Sequence, residues 1–137
     1  IGERSAERVK IEVGAAMTEI ENPPPDYAVQ GRDLMSGIPK EVYISYVEIA
    51  HCLDKSISKI EEAILNALEM TPPELAADIY RKGIYMAGGG SLLRGLDKRI
   101  SLKTKLPVHV CEDPLRAVAR GTGIALKNVH KFPFLIK

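Results

Sequence analysis

The chain has 137 residues, enough for one domain or for one lobe of a larger protein. Its 45% hydrophobic and 27% charged residues are typical of a folded globular chain and exclude a disordered or fibrous one. The formal net charge is only +1, without the basic excess that neutralises phosphates, so no nucleic-acid partner is predicted. No apolar run approaches the roughly 20 residues of a membrane helix. Because the chain starts at Ile1 without Met or a signal segment, we interpret it as a piece of a longer protein.

The first third predicts a helix followed by a hairpin. Apolar side chains recur at helical spacing over residues 3–17, with charges between them. Pro23-Pro24-Pro25 cannot continue a helix, because proline lacks the amide donor and clashes with the preceding turn. Short strands are predicted at Tyr27–Gln30 and Val42–Ile44, with a turn at Met35-Ser-Gly37 between them. This order favours an antiparallel hairpin.

A long amphipathic helix is predicted next. Ser45 stands three residues before Glu48, the reciprocal pair that satisfies free amides at a helix start. Steps of three and four residues then separate a row of apolar side chains, with charges on the other face. The predicted buried stripe consists of Ile49, Leu53, Ile57, Ile60, Ile64 and Leu68.

A second, shorter helix is predicted directly afterwards. Thr71 is placed as its cap, Pro72 at the first helical position and Glu74 three residues after the cap. We expect this helix to end near Gly83.

The remainder alternates strand and helix. Strands are predicted at Ile84–Ala87 and Pro107–Val110, with Gly88-Gly89-Gly90 and a helix from about Leu92 to Ile100 between them. Asp113-Pro114 is predicted to cap a last helix. One side of that helix carries Leu115, Val118, Ala119, Thr122 and Leu126. The alternation is typical of a parallel sheet covered by helices, an α/β unit.

These elements divide the chain into four predicted parts. Residues 1–17 form a first helix that leads into a mixed α+β subdomain at 18–82, made of the hairpin and the long helices. Residues 83–130 form the α/β unit, and residues 131–137 a tail.

The glycine run at 88–90 is the first candidate site. A phosphate or ribose approaches a backbone closely only where side chains are absent, and a helix start offers free amides. The run lacks the Gly-Lys-Ser/Thr of a Walker loop, and it is not a G-x-G-x-x-G followed by an acidic residue. On spacing alone, a tight turn remains the commoner explanation.

Glu7 and Lys10 are the second candidate. They lie one helical turn apart, so both side chains can reach a ligand beside the first helix. An ordinary surface ion pair explains the same spacing more often.

Cysteine and histidine give no support for a metal site or a hydrolase. Cys52 and Cys111 stand far apart, without the paired ligands of a zinc site, and are interpreted as buried reduced thiols. His51, His109 and His130 lie on separate predicted elements without a nucleophile in a recognisable order. No catalytic or metal-binding residue is therefore assigned.

Four stretches together resemble the MreB-type bacterial actins, the family that determines rod shape. They are IGERSAERVKIEVG, TPPELAADI, GIYMAGGGSLLRGLDKRI and EDPLRAVARGTGIAL, in the family's order and with fitting intervals. The resemblance implies part of the actin-like ATPase fold: an incomplete ribonuclease H-like lobe with the α+β subdomain inserted. Actin, sugar kinases and heat-shock chaperones share this fold.

The resemblance also implies a nucleotide site. Such proteins hold adenosine between a helix bearing Glu-x-x-Lys and a glycine turn after a strand. The matching residues here are Glu7, Lys10, Gly88, Gly89, Gly90, Ser91 and Leu92, of which Ser91 and Leu92 begin the helix behind the turn. The implied cofactor is ATP or ADP, with Mg²⁺ held mainly by the missing lobe. This piece is not expected to hydrolyse ATP alone, because the phosphate loops lie upstream.

The implied function is that of an ATP-binding cytoskeletal filament subunit that maintains cell shape. Its main partner would be further copies of itself, through contacts that include the 18–82 subdomain, with wall-synthesis proteins as other partners. Filaments of the parent protein would be cytoplasmic and would meet the membrane through the missing part. A sugar kinase or a chaperone-type ATPase is the alternative, although Ile11 stands where chaperones carry a basic residue after the Glu-x-x-Lys pair.

Overall fold

A computed structural model of the chain describes residues 1–131. The helices are α1 (Glu3–Val13), α2 (Tyr46–Glu69), α3 (Pro73–Lys82), α4 (Leu96–Thr104) and α5 (Ala117–Lys127). The strands are β1 (Tyr27–Arg32), β2 (Pro39–Ile44), β3 (Ile84–Met86) and β4 (Val108–Val110). Short 3₁₀ turns occupy Gly89–Leu92 and Val129–Lys131. The tail predicted at 131–137 lies, apart from Lys131, outside the described residues.

Helix α1 ends at Val13, so the prediction that it continues to Met17 is wrong. Ala15 instead forms an isolated parallel bridge with Arg94, and the Ala16 amide donates to the Arg94 carbonyl at 2.8 Å. Residues 14–16 leave the helix because their backbone pairs with the segment that follows the glycine turn.

The hairpin is confirmed, with longer strands than the sequence predicted. β1 and β2 pair antiparallel, from Tyr27 opposite Ile44 to Arg32 opposite Pro39. The Asp33 carboxylate closes the turn by accepting from the backbone amides of Met35 (2.8 Å) and Ser36 (3.2 Å).

The capping box of α2 is also confirmed. The Glu48 amide donates to the Ser45 hydroxyl at 3.3 Å, and the Ser45 amide donates to the Glu48 carboxylate at 2.8 Å. The buried stripe is only partly as predicted. Ile57 is buried, but Ile60 keeps 47% of its surface exposed, while Ala50 and Glu61 are buried.

The predicted start of α3 is wrong by one residue. Pro72 occupies the cap position and Pro73 is the first helical residue. Thr71 does not cap the helix, since its hydroxyl donates to the Ala67 carbonyl at 2.7 Å in the last turn of α2.

Strands β3 and β4 pair in parallel, with Ile84 opposite Val108 and Met86 opposite Val110, which confirms the predicted α/β unit. Asp113-Pro114 does not cap α5, because Arg116 occupies the cap position. The apolar side predicted for α5 is exposed: Leu115, Val118 and Leu126 each keep at least 70% of their surface in solvent.

Two apolar clusters hold the elements together. One contains Ala16, Ile57, Leu96 and Ile100, and joins α2 to α4. The other contains Val9, Val13 and Val29, and joins α1 to the hairpin. The division at residues 17, 82 and 130 stays a prediction.

The predicted burial of the cysteines is wrong. Both thiols are free, but Cys52 is exposed and Cys111 is half-buried. No helix within residues 1–131 is long and apolar enough to span a bilayer.

Candidate functional site

The glycine turn after β3 is held by a hydrogen bond to Pro114 and by one within the turn. Gly88 has a φ of +84°, a value that favours glycine, and its amide donates to the Pro114 carbonyl at 2.7 Å. The buried Ser91 hydroxyl donates to the Gly88 carbonyl at 2.7 Å. Ser91 and Leu92 therefore end a 3₁₀ turn. The prediction that they begin the following helix is wrong, because α4 starts at Leu96 after the left-handed Gly95.

The outer face of this turn is open backbone. A Cβ added at Gly88 or Gly90 would meet no atom within 4 Å, and one at Gly89 would meet only the Leu115 Cδ2, at 3.3 Å. Leu92 is 55% exposed beside it. The turn is thus accessible to a ligand that needs close contact with main-chain atoms, next to the apolar side chains of Leu92 and Leu115.

Glu7 and Lys10 form an ion pair on the outer face of α1. The Lys10 Nζ lies 2.8 Å from the Glu7 Oε2, and about half of each side chain is exposed. As a surface pair they contribute little to stability, so both groups are free to exchange partners with a ligand at low cost.

The end of α1 meets the segment that follows the glycine turn. The Arg94 guanidinium donates to the Gly14 carbonyl at 3.4 Å, and the Ala15–Arg94 bridge lies beside it. A Cβ at Gly14 would lie 2.1 Å from the Lys10 carbonyl oxygen and 2.9 Å from the Leu93 Cδ1, so only glycine fits between the end of α1 and Leu93. The two predicted halves of the site are therefore connected through Gly14–Ala16 and Leu93–Arg94, a contact that we call the Gly14–Arg94 join.

Sequence reasoning missed Arg99, which connects three segments. From α4 its guanidinium donates to Glu61 at 2.6 Å and Asp54 at 2.8 Å on α2, and to the Ala16 carbonyl at 2.9 Å. Only 9% of the Glu61 side chain and 19% of the Arg99 side chain is exposed. The hydrogen bond to Glu61, with smaller contributions from Asp54, raises the pKa of Arg99 above its ordinary value. The one sequence signal for this pair was the position of Glu61, an acidic residue four positions after Ile57 on the predicted buried stripe.

Other features of the structure lie away from the glycine turn. A cleft of about 320 Å³ beside Arg99 is lined by residues that include Thr18, His51 and Asp54. Within residues 1–131, no group of three or more His, Cys, Asp or Glu side chains is placed to hold a metal ion.

Comparison with known proteins decides the family. The model of the family described as "MreB/Mbl protein" matches residues 1–133. The chain belongs to the MreB/Mbl family. It is 41% identical over 133 residues to the cell shape-determining protein Mbl of Bacillus subtilis, covering 97% of this chain and 39% of that protein. It is 43% identical over 134 residues to the cell shape-determining protein MreB of Escherichia coli K12, covering 94% of this chain and 37% of that protein.

Solved structures agree with this membership. The structure of MreB5 of Spiroplasma citri bound to ADP superposes with a TM-score of 0.87 at 39% identity, over all of this chain and 41% of that one. A MamK mutant superposes with a TM-score of 0.64 at 22% identity, over 85% of this chain and 34% of that one, which supports the fold alone. The predicted family and the partial actin-like α/β fold are confirmed. The MreB/Mbl chain spans about two fifths of the length of these relatives.

Proposed function

We propose that this MreB/Mbl chain supplies the adenosine side of an ATP or ADP site in a filament-forming protein that maintains cell shape. The observation that carries the proposal is the open backbone of Gly88–Gly90, joined to α1 through the Gly14–Arg94 join. The MreB5 structures of Spiroplasma citri, similar to this chain over nearly its whole length, are bound to ADP and AMPPNP. Their ligands support a nucleotide here.

Each predicted contact has a chemical role. The Glu7 carboxylate accepts hydrogen bonds from ribose hydroxyls, and the Lys10 ammonium donates to ribose or base acceptors. Gly88, Gly89 and Gly90 let the nucleoside approach the main chain, and the exposed Leu92 side chain packs against the base. Ser91 acts from behind, because its buried hydroxyl braces the Gly88 carbonyl.

Phosphoryl transfer needs groups that these residues do not offer. A metal ion, a phosphate cradle and a positioned water act together in such reactions. We therefore assign Mg²⁺ and the phosphates mainly to residues outside this chain, and expect no hydrolysis by this chain alone.

Assembly and cell shape belong to the same proposal. Mbl and MreB, the relatives above, are named as cell shape-determining proteins, and the similar MamK variant is described as non-polymerising. By analogy, the intact protein assembles with copies of itself as cytoplasmic filaments, partly through residues 18–82. Contacts with the membrane and with wall-synthesis proteins are assigned to other parts of it or to its filaments.

The site is tested with one substitution in the intact protein. Gly90→Val places side-chain atoms on the open face of the turn without a clash inside the fold, since an added Cβ has free space there. We expect binding of a fluorescent ATP analogue to weaken at least about tenfold, a loss of 1.4 kcal/mol, with an unchanged melting temperature.

Gly121→Val is the matched control. A Cβ at Gly121 also meets no atom within 4 Å, but this glycine lies on α5. The affinity of the Gly121→Val variant for the ATP analogue should equal that of the unmodified protein. Equal, undiminished affinity of the Gly90→Val variant would overturn the placement of the site.

A further inference from the structure

The side chains of Glu61 and Arg99 form an ion pair away from solvent, where such a pair brings little net stability. Removing two charges from water costs about as much as their attraction returns, and an apolar pair of similar volume often stabilises a fold as well or better. Only 8% of the Glu61 surface is exposed, and α2 and α4 otherwise meet through the apolar residues Ile57, Leu96 and Ile100. The pair therefore calls for an explanation other than stability.

Arg99 fixes the distance between α2 and α4 more specifically than apolar contact does. Its guanidinium is a rigid fork, and it engages α2 at successive turns: Asp54 at 2.8 Å, Ser58 at 3.4 Å and Glu61 at 2.6 Å. A sliding motion of α2 along α4 would break several of these directional bonds at once.

The same guanidinium also holds the residue on which both halves of the proposed nucleotide site converge. Ala16 accepts from Arg99 at 2.9 Å and donates its own amide to Arg94 at 2.8 Å. Ala16 lies three residues after the last residue of α1, and Arg94 lies two residues after the last residue of the glycine turn. A displacement of the glycine turn therefore reaches Arg99 through two hydrogen bonds, and a displacement of α1 reaches it through the backbone of residues 14–16 and one hydrogen bond.

We propose that Arg99, paired with Glu61, is a positioning residue that couples nucleotide occupancy at the glycine turn to the position of α2. The inference rests on the proposed function. A bound nucleotide orders α1 and the turn, and this holds Ala16 in place. Ala16 in turn holds the Arg99 guanidinium, which holds α2. Coupling of this kind is reciprocal, so a partner that holds α2 also raises the affinity for nucleotide.

Hydrogen–deuterium exchange of the intact protein, with and without AMPPNP, tests the coupling. At a nucleotide concentration 100 times the Kd, exchange slows by up to about 100-fold wherever opening releases the ligand. We expect slowing in peptides of the glycine turn and also in peptides of α2, although α2 contributes no residue to the site.

The decisive variant is the double substitution Glu61→Leu with Arg99→Leu. It keeps an apolar contact in place of the pair and removes both buried charges together, so the fold is retained. The exposed Asp54 turns to water and the Ala16 carbonyl loses its donor, so a modest fall in the melting temperature is expected. Nucleotide should still slow exchange at the turn of this variant. The factor by which it slows exchange in α2 should be about tenfold smaller, within the range of typical coupling between sites. A single cooperative melting transition, above the temperature of the exchange experiment, verifies that folding is intact.

Lys98→Met is the control on the same helix, since the Lys98 ammonium pairs at 2.5 Å with the exposed Glu21, which lies outside α2. In this variant nucleotide should slow exchange at the turn and in α2 as much as in the unmodified protein. The coupling alone would be overturned by either of two results. In the first, nucleotide still slows exchange in α2 of the double variant. In the second, nucleotide slows exchange only at the turn of the unmodified protein. No slowing at the turn would overturn the proposed nucleotide site, and the coupling with it.

Discussion

At the scale of single residues, Gly83 shows how close packing restricts the sequence. Its φ is +77°, and a Cβ there would lie 2.3 Å from the Pro107 carbonyl oxygen. That oxygen accepts the Ile84 amide at 2.8 Å at the start of the β3–β4 pair. Gly83→Ala should therefore destabilise the protein by about 3 kcal/mol, from backbone strain and a disturbed hydrogen bond. Urea unfolding of the intact protein measures the loss as a lower midpoint.

Gly121→Ala provides the opposite expectation. Its new Cβ enters open space in α5, and alanine favours a helix over glycine by about 1 kcal/mol. The midpoint should rise slightly. Equal effects of the two substitutions would show that the contact with Pro107 does not restrict Gly83.

Arg99 marks the limit of reasoning from sequence at this scale. Glu61 and Arg99 are 38 positions apart, and each lies in a helix that also carries other charged side chains. Periodicity identifies the helices but not which charges face each other across them. By contrast, the local pairing of Glu7 with Lys10 followed from the 3.6-residue repeat.

At the scale of elements, two similar capping signals had different outcomes. Ser45 and Glu48 form the predicted box because the extended backbone of Ser45 places its hydroxyl at the cap position, where the Glu48 amide reaches it. Thr71 does not cap α3, because Pro73 disfavours helical geometry at Pro72 and moves the start of the helix by one residue. The second proline was visible in the sequence, so this error was avoidable.

The α2 capping box should make stability depend on pH in acid. Hydrogen bonds from the Ser45 amide, and then from its hydroxyl, lower the pKa of Glu48 below its ordinary 4.5. A carboxylate with a lowered folded-state pKa stabilises the fold above the unfolded value, and this contribution disappears as the pH falls through the folded value. The unmodified protein should therefore have a larger free energy of unfolding than the Glu48→Gln variant. This difference should be greatest above pH 4.5 and should decline below it.

Thermal unfolding of both proteins between pH 3 and pH 7 measures this advantage. Glu48→Gln is a suitable reference because its amide oxygen still accepts from Ser45 without titrating. Parallel melting curves across the whole range would contradict a role for the charge at the start of α2.

At the scale of the whole molecule, fold class was predictable and the connections between segments were not. Alternating strand and helix after Gly83 indicated the parallel β3–β4 pair, and four ordered stretches indicated the MreB/Mbl family. Nothing in the periodicity showed that residues 14–16 would leave α1 and pair with Arg94. That pairing joins positions about 80 residues apart, as the Arg94 bond to Gly14 illustrates, and depends on tertiary packing.

The site shows the same division. The glycine turn and the Glu7–Lys10 pair were each ambiguous alone, and the resemblance first connected them. The structure adds the Gly14–Arg94 join between their elements and an open backbone at Gly88 and Gly90. On these grounds we propose nucleotide contact at these residues.

Photolabelling of the intact protein with 2-azido-ATP, followed by peptide mapping, tests that claim most directly. The azide sits on the adenine ring, so the label marks side chains beside the base. We predict label on peptides that contain Lys10 or Leu92, removed by competition with unmodified ATP. The proposed nucleotide site would be contradicted if the label that ATP removes were found only on peptides outside α1 and the glycine turn.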